Sequence, residues 1–503
     1  MTLLIRNARI LTMDDDRTEH ACADLLIEGT RIARIGAGLS APEGAEIIDA
    51  EGKLAMPGLI NSHFHSGSLL FKGLFEASPL ELIILEEDLP GGGFNSGRFR
   101  YLQTMLGAIE MLTRGITSVR DDTYFIPTFE RDAMDGVFQA WSDAGMRAQV
   151  AIAQNVVPEP KMLPFLNDLV PDDIAAELAA VPADSEDDML ARYRDALSRW
   201  HGTNDDRIGL TMSGSAPQRC TDGYLQALSA MAREHDLSFD LHVYETKTQR
   251  VMGEDIYGQS LVAYLDDLGV LDEHLVLIHA VWTDQADWDR IAAAGSAIAH
   301  NPISNLKLGS GIAPFPAWMD AGIPVGLGTD EASTNDTANL WQVAKTGCLL
   351  QKVTNPDPEN WPRASAYLDA VTRSGGRLMR RKTGQLAPGF DADVILVDLS
   401  TLAFTPLHDA VSQLIYCEDG TSVQTAIVAG EVVMQDGKLT RVDQDALLAE
   451  LREAMPEWDK AHDETRAAIS HLLPWYRQMY LKAAGRDVGF SRWLEPASGA
   501  DPI

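Results

Sequence analysis

The first 56 residues carry short runs in which apolar and polar positions alternate. LLIRNARILTM alternates along its length, ADLLIEGTRIARIG reads as strand–turn–strand, and AEIIDAEGKLAMPG ends a further strand pair at Pro57-Gly58. From Leu59 to about Gly376 the pattern changes. Short apolar runs (GITSVRD, RAQVAIAQ, GLTMSGSA, SFDLHVYE, LVLIHAV, SAIAHNP, PVGLGTD) are separated by segments of helical period such as DGYLQALSAMAREH and TDQADWDRIAAAG. Strands that alternate with helices imply a parallel sheet. About eight such strands over some 320 residues suit a closed (β/α)8 barrel. An open doubly wound sheet is the competing arrangement, but no glycine-rich phosphate loop follows the first strand.

Beyond the barrel, GQLAPGFDADVILVDL and TAIVAGEVVMQDGKL return to strand periodicity. The expected organisation is therefore an α/β chain. Residues 1–56 and 381–440 form a small discontinuous β-sandwich from both chain ends, 57–380 form the TIM-like catalytic barrel, and 441–503 form a C-terminal helical extension. Within that extension about 443–484 is expected to be helical with an interruption at Pro474, followed by an irregular Gly/Pro/Ser-rich tail. The apolar and aromatic residues of RAAISHLLPWYRQMYLKA suit core packing or the interface of a homodimer or larger homo-oligomer.

Composition narrows the partners. The formal net charge is −33 over 503 residues. A field of that sign repels phosphate backbones, which argues against nucleic-acid and anionic-membrane partners and leaves a small-molecule substrate. Cys22, Cys220, Cys348 and Cys417 form no CxxC pair, so neither a disulfide framework nor a cysteine zinc site is expected. The N-terminus lacks the pattern of a signal peptide, and no apolar run approaches the ~18 residues of a membrane span. A cytoplasmic setting follows as the expectation.

The chemistry lies at the ends of the barrel runs. His63 and His65 are i and i+2 on a strand and so point the same way, a ready pair of metal ligands. His242 ends FDLHV, with Glu245 three residues on, where a carboxylate can move protons. His279 closes LVLIH, His300 closes SAIAH, and Asp330 ends PVGLGTD, where a buried acid needs a cation or several donors. Strand ends of one barrel converge on one mouth, so these positions are expected to form one site.

These motifs resemble the amidohydrolase superfamily, in particular its aminohydrolase branch of adenosylhomocysteine/methylthioadenosine deaminases, guanine deaminases and triazine hydrolases. PGLINSHFH resembles the family's first-strand PGxxxxHxH, LHVYET its HxxE, IHAV its (A/I)HxV, and GTDEAST its GTD segment. The resemblance implies metal ligands His63, His65, His242 and Asp330, with catalytic roles for Glu245, His279 and Asp330. It implies one divalent cation per chain, Zn2+ by preference with Fe2+ or Mn2+ as alternatives. No lysine is placed at a strand end for the carbamylation that binuclear branches use. Gln154, Ser215, Arg219, His300 and Asn305 are the candidate substrate contacts. Ser215 stands where family deaminases often carry a histidine, which turns the expectation away from adenosine-type substrates. Arg219 is a candidate partner for an anionic substrate group.

The expected activity is hydrolytic deamination of an amino-substituted nitrogen heterocycle (a cyclic amidine) by a metal-activated water. Release of an alkylamine, a halide or an amide nitrogen on the same scaffold is the alternative. A non-catalytic scaffold is the remote one, since such scaffolds lose ligands.

Overall fold

The computed structural model describes residues 2–87, 92–125 and 129–494. The expected irregular tail from 495 onward lies outside the described residues. At the centre is a closed barrel of parallel strands. These are β1 (Leu59–Phe64), β2 (Ile116–Thr123), β3 (Arg147–Ile152), β4 (Ile208–Leu210, continued by Met212–Ser213), β5 (Phe239–Val243), β6 (Leu275–His279), β7 (Ala297–His300) and β8 (Val325–Leu327). A break at Thr211 divides β4, so its first half pairs with β3 and its second half with β5. The barrel closes where Phe64 bridges Asp330 in parallel and the Asp330 amide donates to the His63 carbonyl at 3.0 Å. Side chains fix the same seam: Thr329 N donates to Asn61 Oδ1 at 3.0 Å, and Asn61 Nδ2 donates to Thr329 Oγ1 at 2.7 Å.

The seam also explains the small residues of VGLGTD. A Cβ at Gly326 would sit 2.3 Å from Ser62 Oγ, and one at Gly328 would sit 2.4 Å from Asn301 Oδ1. Only hydrogen fits where β8 is pressed between β1 and β7.

Helices cover the outside of the barrel, among them Gly97–Leu112, Arg131–Ala144, Glu186–Trp200, Asp222–Glu234, Gln285–Ala294 and Leu340–Leu350. Their apolar faces and the outward strand residues form one large core containing Trp141, Tyr193, Trp282, Trp318 and Trp341.

Strands from both chain ends form the β-sandwich. Its hydrogen-bonded path runs from Lys438–Leu439 through Glu431–Gln435, Val423–Val428, Val394–Asp398, Lys53–Pro57 and Thr2–Leu11 to Glu19–Glu28 and Arg31–Gly36, with Glu46–Asp49 beside Thr2–Leu11. Alternation splits the strands between two cores: Leu3, Ile5, Leu25, Ile27, Val394 and Leu396 form a separate apolar core, while Leu54, Met56, Ile395 and Val397 on the opposite face join the barrel core.

The C-terminal extension is two helices, Gln444–Ile469 and Leu473–Ala484. Pro474 sits in the first turn of the second helix, where its missing N–H costs nothing. The apolar face expected as core or oligomer contact packs within the chain: Leu472, Tyr476 and Met479 join Leu163, Leu166 and Met252 over the barrel mouth. No helix among the described residues is long and apolar enough to cross a membrane.

Candidate metal and active site

His63, His65, His242, His279 and Asp330 meet at the C-terminal mouth of the barrel, and all are at least nine-tenths buried. His279 and Asp330 adopt left-handed backbone (φ 71° and 63°), as do Ser215 (61°) and Tyr244 (57°) beside the site. Such backbone is costly for residues with a Cβ and collects at functional sites.

The donor atoms converge. Asp330 Oδ1 lies 3.2 Å from His63 Nε2 and 3.5 Å from His65 Nε2. His65 Nδ1 donates to the Asp122 carbonyl, and His242 Nδ1 donates to the Ser215 carbonyl at 2.7 Å. Each ring therefore turns an unprotonated Nε2 inward, and the two nitrogens stand 3.3 Å apart. Two lone pairs held that close repel unless a cation lies between them. Two overlapping sets of possible ligands result: His63, His65, Asp122 and His242, and His63, His279 and Asp330.

Protonation suits a cation. Burial pushes His65 down to about 4, and burial with the neighbouring imidazoles holds His242 well below its usual value. Burial would raise Asp330, but His279, His63 and His65 outweigh it and keep the carboxyl well below its ordinary range. Neutral imidazoles beside an anionic carboxylate are the ligand forms a divalent metal requires.

Glu245 and His279 adjoin this cluster. His279 Nε2 is 3.5 Å from Glu245 Oε2 and 3.7 Å from Asp330 Oδ2. Burial, followed by the charges of Asp330 and Glu331, raises the Glu245 carboxyl well above its ordinary value. His279 is pushed down to about 4 by burial. Its Nδ1 donates to Asn305 Oδ1 at 2.9 Å, which leaves Nε2 as an acceptor facing Asp330 and Glu245.

Above these groups opens a cavity of about 240 Å3. Gln154, Ser215 and Arg219 line it. The Gln154 amide is already occupied, bonding both backbone groups of Phe125 (2.8 and 2.9 Å) and Asp184 (3.0 Å). Arg219 donates to Ser215 Oγ at 2.7 Å and to Glu159 Oε1 at 2.8 Å. The expected partner of an anionic substrate group is thus already matched by a carboxylate of the chain.

The other two expected substrate contacts, His300 and Asn305, are not among the residues lining this cavity. His300 is fully buried behind the site, with its ring against Trp318 (centroids 5.5 Å) and Phe315 (5.9 Å). Asn305 stands behind His279 and touches that ring instead. His300 is the last residue of β7, and Asn305 lies in the helix Pro302–Lys307 that follows it.

Sequence reading missed Asp122, Glu87, Glu331 and Tyr124. Asp122 follows the same strand-end logic in GITSVRDD, and both its carboxylate oxygens lack a hydrogen-bond partner among the described residues. Glu87 and Tyr124 come from different loops, and no local pattern marks them.

A closed parallel barrel with this donor set and buried acid at its mouth defines a metal-dependent hydrolase. The amidohydrolase family matches residues 54–433, and the chain belongs to that family. A 5-methylthioadenosine/S-adenosylhomocysteine deaminase of Desulforudis audaxviator is 33% identical over 89% of this chain and 97% of its own. A 5'-deoxyadenosine deaminase of Methanosarcina mazei is 30% identical over 90% and 98%. Among solved structures, an atrazine chlorohydrolase of Arthrobacter aurescens complexed with zinc superposes with TM-score 0.80 at 26% identity, covering 89% of this chain and 98% of that one. An adenosine deaminase of Xanthomonas campestris with bound zinc gives 0.79 at 25% identity, covering 91% and 98%. The chain is accordingly a hydrolase of carbon–nitrogen bonds other than peptide bonds, of the deaminase kind.

Proposed function

We propose that this protein removes the amino group of a purine-like nitrogen heterocycle, with one Zn2+ per chain held by His63, His65, His242 and Asp330. The observation that carries the reading is the placement of Glu245. It is a buried carboxyl raised well above its ordinary value, within 3.5 Å of an unprotonated His279 nitrogen that also faces Asp330.

A divalent cation here would supply a water acidic enough to react near neutral pH. The chain does the rest. His279 Nε2 and Asp330 Oδ2 face the place where such a water would lie; they would accept its hydrogen bonds and orient it, with Asp330 as the proton acceptor. The protonated Glu245 donates to the ring nitrogen beside the amino-bearing carbon, so charge does not accumulate on the ring as the carbon becomes tetrahedral. The proton held by Asp330 would then leave with ammonia, and the hydroxyl proton of the tetrahedral carbon would pass to Glu245 as the ring carbonyl forms, restoring its acid form. Asn305 fixes the His279 tautomer that this sequence needs. The pocket acids Glu87 and Glu331 suit a ring rich in N–H and O–H donors.

Aminated purines are the first substrates to test, because the relatives quoted above are named for adenosine derivatives. Ser215 widens the panel to pterins, pyrimidines and triazines. Metal content and ammonia release are measured together on that panel. About one zinc per chain with ammonia from any member supports the proposal. One metal with amine or halide released instead transfers it to the alternative chemistry, and no metal after reconstitution overturns it. The four free cysteines, two of them buried, suit a reducing cytoplasm. Exposed Val353 (63%) and Leu402 (94%) suit a homo-oligomer, which sedimentation reads.

A further inference from the structure

His279 stands on costly backbone. It and Ala280 are both left-handed (φ 71° and 49°), and neither is a glycine. Such conformations persist where the surroundings over-determine them. Local bonds do part of this. The Ala280 amide donates to the Val243 carbonyl at 3.0 Å, and Thr283 Oγ1 donates to the Ala280 carbonyl at 2.7 Å. The rest comes from the far end of the chain.

Beyond helix Leu473–Ala484, residues 485–494 form an irregular strap that bonds to the loops after β6 and β7. Arg492 donates from Nε to the Val281 carbonyl at 2.9 Å and from Nη2 to the Thr283 carbonyl. Both carbonyls belong to the turn that leaves His279. The guanidinium lies 4.9 Å from the centre of the Phe490 ring and 5.7 Å from that of Trp288. A planar fork held between rings fixes the two carbonyls relative to each other, which a flexible ammonium does not.

The same strap holds the second loop. Trp493 Nε1 donates to the Gly309 carbonyl at 2.7 Å, and the Ile312 amide donates to the Arg492 carbonyl at 2.8 Å. Gly311 (φ 122°) is pressed against it, for a Cβ there would lie 2.8 Å from Arg492 Cβ. Trp282 ties the two loops together: its Nε1 donates to the Ser310 carbonyl at 2.7 Å, and its ring meets that of Trp493 at 5.2 Å. The Ser310 amide donates to the Asn305 carbonyl at 2.8 Å, and Asn305 Oδ1 is the acceptor that fixes the His279 ring. The strap therefore reaches His279 by two routes, the backbone that follows it and the side chain behind it.

Building on the deaminase reading, which gives His279 a water to orient, we propose that Arg492 and Trp493 are positioning residues for His279. The strap clamps the turn after β6 and the loop after β7, so that Nε2 stays aimed at Glu245 and Asp330. Neither residue is among those lining the cavity, so their action passes through the imidazole.

The test uses the zinc-loaded full-length protein. Hydrogen–deuterium exchange is read by mass spectrometry over residues 278–284 and 305–312, beside ammonia release from the purine panel. Arg492→Ala should speed exchange in both segments about tenfold or more. It should lower kcat about 5- to 50-fold with KM and zinc content unchanged. Arg492→Lys, which keeps a donor for the turn, should recover part of kcat. Trp493→Phe, which keeps a ring and loses the N–H, should speed exchange over 305–312 alone. Arg492→Ala joined to Asn305→Ala should lower kcat little beyond the more damaging single change, since both act through one imidazole. Arg486→Ala, which breaks only the exposed 2.8 Å pair with Asp255, should leave both readouts within about twofold of wild type. Wild-type exchange in Arg492→Ala overturns the clamp, as does faster exchange with undiminished kcat or a fully multiplicative loss in the double variant. Should Arg492→Ala fail to hold zinc, Arg492→Lys and Trp493→Phe carry the same comparison. No ammonia from any panel member in wild type removes the deaminase reading, and the exchange rates then decide the clamp by themselves. Ammonia with unchanged exchange removes the clamp and leaves the deaminase.

Discussion

The two ends of the barrel treat buried carboxylates in opposite ways. At the end facing the β-sandwich, Asp393 accepts from Arg147 Nε at 2.7 Å and Nη2 at 3.0 Å, from Thr383 Oγ1 at 3.0 Å and from the Ala429 amide at 2.8 Å. Its neighbour Asp391 is held by Arg381 and by Arg31, the latter at 2.7 Å. At the mouth, Asp122, Glu81, Glu87, Glu245 and Glu331 have no arginine or lysine partner among the described residues; hydroxyls of Thr246 and Ser333 reach Glu81 at 2.8 Å and Glu331 at 2.9 Å, and the lining cation Arg219 is matched to Glu159. Burial raises Glu81, Glu87, Glu245 and Asp122. Burial would raise Asp393 too, but Arg147 outweighs it and holds the carboxyl below its ordinary value. Saturated acids lock two sheets together, whereas unsaturated acids are available to a metal, a proton and a substrate.

This contrast can be broken at either end. The largest effect is expected from His63→Ala. Bound metal, read by elemental analysis, should fall from about one per chain to near zero with turnover, while the circular dichroism of the fold persists. Full metal occupancy in that variant would refute the ligand assignment. Glu245→Gln should keep the metal and lower kcat by about 10²–10⁴-fold, the range for a general acid–base group. Wild-type turnover there would remove Glu245 from the mechanism.

At the opposite end, Asp393→Ala should cost about 3–5 kcal/mol in denaturant unfolding, because it leaves Arg147 buried and unpaired. Activity per folded chain should be retained. The pH dependence has a definite sign. A folded-state value below the unfolded ~3.9 gives stability that is present above that pH and lost as pH falls through the folded value. Melting curves from pH 5 to pH 3 should therefore fall less steeply in Asp393→Asn than in wild type.

A smaller effect is expected at Asn305, which reaches the site through His279. Asn305→Ala should lower kcat by about 10–100-fold with little change in KM, and Asn305→Asp, which keeps the acceptor, should recover much of it. Smallest of all, Arg131→Ala breaks the exposed 2.9 Å pair with Asp195 and should change stability by under about 1 kcal/mol.

Much of this protein is written in its sequence. Alternation fixed by the pleat identifies the terminal strands, and the short apolar runs between helical periods identify the barrel. The HxH of β1, together with His242, His279 and Asp330 at their strand ends, marks one site, because a parallel barrel carries every strand's C-terminal end to the same mouth. Tertiary structure alone decided the rest. It packed His300 against Phe315 and Trp318 and set Asn305, on the helix after β7, behind His279. It matched Arg219 to Glu159, 60 residues apart, and Arg147 to Asp393, 246 apart. It also laid the C-terminal helix over the mouth, so that Tyr476 walls a chamber with Leu80, Leu163 and Met252. Local sequence encodes direction and period within an element. Which buried charge meets which partner depends on how distant elements pack, and no short window contains that information.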